Sequence, residues 1–325
     1  MKKIIITLAV AIILISMVNG AMPAKVKEIR EKYEPELFAI EGVSGVSVDE
    51  ANNEIIVYIE KQEISKNVPK VLEGFKVRYQ VIGKIEALQT TSAIETPFMA
   101  YQTVPYSRIG SYNPVFGGIS VGNPYITAGT LGLVATDSSG KTVILSNAHV
   151  LALNGQNNFL PLGTSIYQPG TYDGGNSLNT IGVLSRYIPI TFNSKKSNNK
   201  ADAAIATLSI PGNIGDILNQ NNDGFYKIIG TDTVSKNDIV RKSGRTTGVT
   251  TGMVTDITAS VKVSYGGKWA IFKDQILVTN FSKGGDSGSA VDKDGKFIGL
   301  LFAGSSTTTI VNKAGNILTP LGINV

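Results

Sequence analysis

The chain holds no cysteine and a single histidine among 325 residues. Without cysteine there is no thiolate nucleophile and no disulfide, so stability has to come from a packed core. One imidazole excludes the usual zinc sites, which draw on several histidines or thiolates, and no metal or other cofactor is expected. Charge is scarce as well: 17% of residues are Asp, Glu, Lys or Arg, and the net charge of +5 is scattered. That balance excludes a nucleic-acid partner. Long helical patterns are few, while 35 glycines and 42% hydrophobic residues describe a globular chain rich in strands and turns.

Residues 1–20 read as an export signal: Lys2-Lys3, an apolar run from Ile4 to Val18, then Val18-Asn19-Gly20 at the expected cut. The run is short for a membrane span, so a secreted or cell-surface protein is expected, with an uncleaved anchor as the alternative. Residues 21–87 carry ten basic and twelve acidic side chains, against eighteen and thirteen over the 238 positions of residues 88–325. The shift marks a domain boundary. Val26, Ile29 and Tyr33 predict a helix ending near Pro35. Val46 and Val48, Ile55 to Ile59, and Val77, Tyr79 and Val81 predict strands, with a short helix at Val68 to Leu72. This small α+β unit contains no catalytic constellation and reads as a prodomain, a folding aid or an interaction module, in intramolecular contact with residues 115–325.

Residues 88–114 form a connector interrupted by Pro97, Pro105 and Pro114. Over residues 115–325 short apolar stretches recur between Gly, Asn and Pro, among them Leu131 to Ala135, Val143 to Leu145, Ala203 to Leu208, Ile276 to Val278 and Ile298 to Phe302. The pattern predicts an all-β sandwich or barrel rather than a helix-alternating sheet.

Three local patterns carry chemistry. Gly284-Gly285-Asp286-Ser287-Gly288-Ser289 is a tight turn that exposes a serine hydroxyl and frees neighbouring N–H groups, as acyl transfer requires, although Gly, Asp and Ser also favour ordinary turns. The sole histidine, His149, comes soon after the apolar run Val143 to Leu145, in Ser146-Asn147-Ala148-His149. Asp202, immediately before the apolar stretch Ala203 to Leu208, is the best carboxylate to orient that imidazole, with Asp137 and Asp173 as substitutes.

In that order, His149, Asp202 and Gly285-Asp286-Ser287-Gly288 resemble the trypsin-like, chymotrypsin-fold serine peptidases. Gln168-Pro169-Gly170, Gly244-Arg245-Thr246-Thr247-Gly248, Asp274-Gln275 and Gly299-Leu300-Leu301-Phe302-Ala303-Gly304 are similar to a prokaryotic branch of that family. The resemblance spans about residues 115–325. It implies a mainly β fold of two six-stranded antiparallel β-barrels behind the small α+β unit, with the site in the cleft between them. It further implies Ser287 as nucleophile, His149 as general base and acid, Asp202 as the orienting carboxylate, and an oxyanion hole from the N–H groups of Gly285 and Ser287. Asp286 would brace the loop. The specificity position falls on Phe281, with Phe302 and Gly304 on the facing wall, so an apolar or small residue is expected before the scissile bond; the charge of Lys283 would instead attract an acidic side chain. Zymogen-type members pair a new N-terminus with the aspartate before the serine, which about ninety preceding residues put in question here.

The expected function is a secreted serine endopeptidase acting on protein or peptide substrates through an acyl-enzyme. The alternative is a catalytically silent protein of the same fold that binds peptides or builds the envelope. An α/β-hydrolase is excluded because its Gly-x-Ser-x-Gly fails at Ser289 and no histidine comes after the serine. The Asp173-Gly174-Gly175-Asn176 loop reads either as a plain turn or as a structural calcium loop.

Overall fold

The computed structural model describes residues 24–88 and 105–325. The expected signal at 1–20 and most of the expected connector lie outside the described residues. The fold is mainly β, as the sequence pattern implied.

In the N-terminal unit a helix over residues 24–37 buries Val26, Ile29 and Leu37 against strands Val43–Asp49 and Glu54–Ile59. It ends at residue 37, near Pro35 as the sequence predicted. The last turn is held from outside, because Glu34 pairs with Arg30 at 2.7 Å and with Lys273 at 2.8 Å and accepts from Ser260 Oγ at 2.8 Å. The helical turn predicted at Val68 to Leu72 is displaced. It forms earlier, as a 3-10 helix at Gln62–Asn67, and Val71–Leu72 is a short strand paired with Phe75–Val81. Pro69 explains the shift, since the residue before a proline is driven to extended backbone, and Val68 has φ −81° and ψ 127°.

The chain's last third closes on itself. Strands Ile239–Gly244, Gly248–Ser264, Trp269–Thr279, Thr308–Lys313, Lys296–Gly304 and Ala290–Lys293 pair antiparallel in that order, and the last returns to the first. The result is a six-stranded barrel with no free edge. The middle third is a six-stranded antiparallel sheet built on Leu133–Asp137, Thr142–Ser146, Ala204–Leu208 and Thr180–Tyr187, with two small sheets beside it and Ile323–Asn324 at its edge.

One hairpin ties the three parts together. Gly248–Ser264 and Trp269–Thr279 turn at Gly266-Gly267, and Gly266 takes φ +75°, which only glycine adopts cheaply. Residues Gly45 and Val46 of the N-terminal unit pair with Val261 and Ser260 on this hairpin, so a single sheet runs from the barrel into that unit. Among the described residues no helix is long and apolar enough to cross a membrane.

The two β halves interlock backbone to backbone at the serine turn. Thr130 N–H donates to Ser287 O at 2.7 Å, and a Cβ added at Gly132 would run into Gly288 O. We expect Gly132→Ala to lower stability by about 2 kcal/mol or more, because a main-chain oxygen cannot yield as a side chain does. Gly267→Ala, which meets nothing within 4 Å, should change stability by less than about 0.5 kcal/mol. Urea denaturation of the two variants checks this, and equal midpoints would contradict it.

Candidate active site

Thr142–Ser146 ends one residue short of a four-residue helix, Ala148–Leu151, that carries His149. The imidazole is 2% exposed, and Asp202 is fully buried, so each must find its partners inside the protein. They find each other. His149 Nδ1 lies 2.6 Å from Asp202 Oδ2, and His149 N–H donates to Asp202 Oδ1 at 3.0 Å. Tyr265 donates its hydroxyl to the same Oδ2 at 2.7 Å. Asp202 itself is fixed by its backbone: its N–H donates to Asn312 Oδ1 and its C=O accepts from Asn147 Nδ2.

Burial alone would push the Asp202 carboxyl up, but His149 and the Tyr265 hydroxyl outweigh it and hold the group below its ordinary value. Asp202 is therefore a carboxylate, which accepts only, so the proton between it and the ring sits on Nδ1. Nε2 is left with a lone pair. It is buried and makes no hydrogen bond among the described residues. The same burial, reinforced by Asp202, raises the Tyr265 hydroxyl well above the usual phenol value, so it stays a donor.

Ser287 comes from the other half, in the turn between Trp269–Thr279 and Ala290–Lys293. Gly285 and Gly288 take φ +92° and +90°, and a Cβ at Gly288 would collide with Ser146 Oγ and Thr130 O. The turn is braced from below by Asp286, which is fully buried and accepts from the N–H groups of Thr246, Thr247 and Lys283 and from Thr247 Oγ1. Lys242, also fully buried, places Nζ 3.4 Å from Asp286 Oδ2. Burial pushes the Lys242 ammonium below its ordinary value, with Asp286 pulling it back. The aspartate before the serine thus already has a cation, and no N-terminal amine is needed to order this loop.

Ser287 Oγ does not meet His149 directly in this state. It donates to the backbone O of Leu88 at 2.9 Å and of Phe302 at 3.3 Å. The Leu88 oxygen also accepts Gly285 N–H at 3.0 Å. A peptide carbonyl from the end of the N-terminal unit is therefore bound jointly by the serine hydroxyl and a glycine amide. Of the two expected oxyanion donors, Gly285 makes the contact through its amide and Ser287 through its hydroxyl.

Phe281 belongs to the apolar cluster against which the Leu88 side chain packs. Gly304 lines the same place: a Cβ built on it would stand 3.6 Å from Leu88 Cδ1. The ring of Phe302 points elsewhere, 4.8 Å from the Phe272 ring, and Phe302 contributes its carbonyl, not its side chain. A cleft of about 450 Å³ is lined by His149 together with Tyr125, Thr127 and Tyr172 among others. The two substitute carboxylates are engaged away from His149. Asp137 pairs with Arg186 at 2.7 Å, and Asp173 is clamped by Arg245 and accepts from Ser120 at 2.5 Å. The Asp173 loop is thus organised by an arginine.

Sequence reasoning missed Tyr265, Lys242 and Leu88. The first had a weak signal, an aromatic hydroxyl beside a Gly-Gly turn; the other two had none.

No family model matches the chain, and no curated protein matches it. Solved structures similar to it include a Nocardiopsis protease (18% identity, 65% of this chain and 98% of that one, TM-score 0.48). Thermobifida fusca protease A is similar at 16% identity, over 65% of this chain and 97% of that one, with TM-score 0.49. A glutamic acid specific serine protease is similar at 20% identity, over 65% and 100%, with TM-score 0.48. At such identities a functional reading rests on the geometry of the site.

Asp202 generates a pH prediction. Its folded value is depressed, so its stabilising contribution is complete above the ordinary carboxylate range near pH 4 and is lost as pH falls through the lower, folded value. The stability gap between wild type and Asp202→Asn should therefore narrow as pH falls from about 6 to about 3, and a constant gap in chemical denaturation would contradict it. Lys242→Met leaves the Asp286 carboxylate buried without its cation. It should cost about 3–5 kcal/mol, read from the same denaturation curves, and a loss within about 0.5 kcal/mol would show that the amides suffice.

Proposed function

We propose that the chain is a serine endopeptidase in which Ser287 attacks a peptide carbonyl, His149 takes and returns the proton through Nε2, and Asp202 fixes the ring. The observation that carries this reading is the joint capture of the Leu88 carbonyl by Ser287 Oγ and Gly285 N–H. It supports the reading because the Gly285 amide is aimed at a carbonyl oxygen beside the serine, the atom that would gain charge on attack. The Ser287 amide would join Gly285 as the negative charge develops. On the other half, the Nδ1–Asp202 bond leaves Nε2 as the basic nitrogen and would steady the imidazolium formed when it accepts the serine proton. Attack expels the amine that His149 reprotonates, and water then hydrolyses the serine ester by the reverse proton route.

The reading includes export, on the strength of Lys2-Lys3 and the apolar run from Ile4 to Val18, and a prodomain role for residues 21–87. A second reading has one observation behind it: Ser287 donates to Leu88 and not to His149, as in a peptide-binding protein that never turns over.

A serine-reactive phosphonate separates the two. We expect it to label wild type and Leu88→Asp, in which a charge would be expelled from the apolar pocket. Labelling should vanish in Ser287→Ala and slow by on the order of 10³-fold or more in His149→Ala and Asp202→Asn. Absence of label in both wild type and Leu88→Asp would leave the binding-protein reading.

A further inference from the structure

We propose that residues 84–88 lie in the cleft as the acyl side of the chain's own substrate. On this proposal Ser287 cuts the peptide bond between Leu88 and Gln89, and the pocket at Gly304 selects leucine or a side chain of similar shape. The inference rests on the serine-peptidase reading above and goes on to name the bond and the side chain.

The segment is bound as an added strand. Ala87 pairs antiparallel with Ala303 and Glu86 with Gly304, while Leu88 N–H donates to Phe302 O at 3.2 Å. Glu86 also pairs with Ser264, whose N–H donates to Ile85 O at 2.9 Å. Main-chain bonds of this kind hold any sequence in register, so selectivity falls to the side chains that enter pockets. Three of them differ in environment. Glu86 is exposed and its carboxylate pairs with Lys84 of the same segment, so the cleft reads nothing there. Ala87 is half-buried against the main core, which leaves space for a small residue. Leu88 is half-buried against the cluster containing Phe281, with Gly304 as the wall its Cδ1 faces. A Cβ at 304 would make ordinary van der Waals contact with Leu88 at 3.6 Å and would meet Thr308 O at 2.9 Å. The side chains Leu88 meets there include Phe281 and other apolar residues, against which a buried Asp, Glu, Lys or Arg would lose hydration.

Upstream, the strand is pinned at its far end. Ile82 O accepts from Thr307 Oγ1 at 3.0 Å and from Ser305 Oγ, and Gly83 O accepts from Ser44 Oγ at 2.8 Å. The pairing of Gly45 and Val46 with the central hairpin fixes the rest of the unit. The Leu88 carbonyl is thereby delivered to Ser287 by an intramolecular scaffold, which makes attack effectively unimolecular. In the reaction Ser287 Oγ bonds to the Leu88 carbonyl carbon and its proton passes to His149 Nε2. The bond from that carbon to the Gln89 nitrogen breaks, and the nitrogen takes the proton. Water then cleaves the ester to leave a Leu88 carboxylate and a free Ser287.

The test uses the full chain, with intact mass and N-terminal sequencing over time, and the phosphonate label as an independent readout of Ser287. Wild type should split into a fragment ending at Leu88 and one beginning at Gln89, at a rate independent of protein concentration, while Ser287→Ala stays whole. Leu88→Met should split at close to the wild-type rate and Leu88→Asp on the order of 100-fold more slowly. Peptide amides ending in Glu-Ala-Leu should be cleaved in preference to those ending in Glu-Ala-Asp or Glu-Ala-Lys by a similar factor. Ser287-dependent labelling with no cut after Leu88, or equal rates for Leu88→Asp and wild type, would overturn this inference and leave the peptidase reading standing. Loss of all Ser287-dependent labelling, in Leu88→Asp as well, would overturn both.

Discussion

The structure depends on one buried carboxylate. Asp202 has no solvent to stabilise its charge, and every group that replaces water around it belongs to the site: the ring and amide of His149 and the hydroxyl of Tyr265. Because an ionised carboxyl cannot donate, this arrangement dictates the tautomer of the only histidine and leaves Nε2 basic. The demand reaches into the fold. Tyr265 arrives on the Gly266-Gly267 hairpin of the closed barrel, and Asn312, also from the barrel, receives the Asp202 amide. A charge in the middle third is thus satisfied by the last third, which fixes how the two halves meet.

The same logic operates beneath the serine. Asp286 is buried with Lys242, and four further donors complete its shell. Such a pair adds little net stability when set against an apolar replacement, yet losing one partner is costly. Its effect is to make the Gly285–Gly288 turn rigid without waiting for a new chain terminus. Readiness of the site is then governed by access to the cleft, which the end of the N-terminal unit occupies.

How much of this the sequence displays depends on which features are local. Ser287, with its flanking glycines, announces itself because the turn geometry is written in adjacent residues. His149 and Asp202 stand out because each lies close to an apolar strand, and because a chain with one histidine leaves few choices for a base. Lys242 was invisible, since lysine is almost never buried and nothing nearby in sequence discloses the aspartate 44 positions on. Leu88 was hidden for the same reason. Its meaning lies in the Ser287 and Gly285 it touches about two hundred residues later. The errors had physical causes: Pro69 drove Val68 to extended backbone and moved the expected helical turn to Gln62–Asn67, and Phe302 turned its ring into the core, leaving only its carbonyl to the site.

Because the chain has a single histidine, 15N labelling of histidine reports on His149 without assignment. At a pH where the ring is neutral, the account predicts a proton on Nδ1, shifted far downfield by the short bond to Asp202, with Nε2 unprotonated. That downfield proton should disappear in Asp202→Asn. A proton on Nε2 with Nδ1 bare, or a spectrum unchanged by Asp202→Asn, would contradict the claim that this carboxylate sets the base.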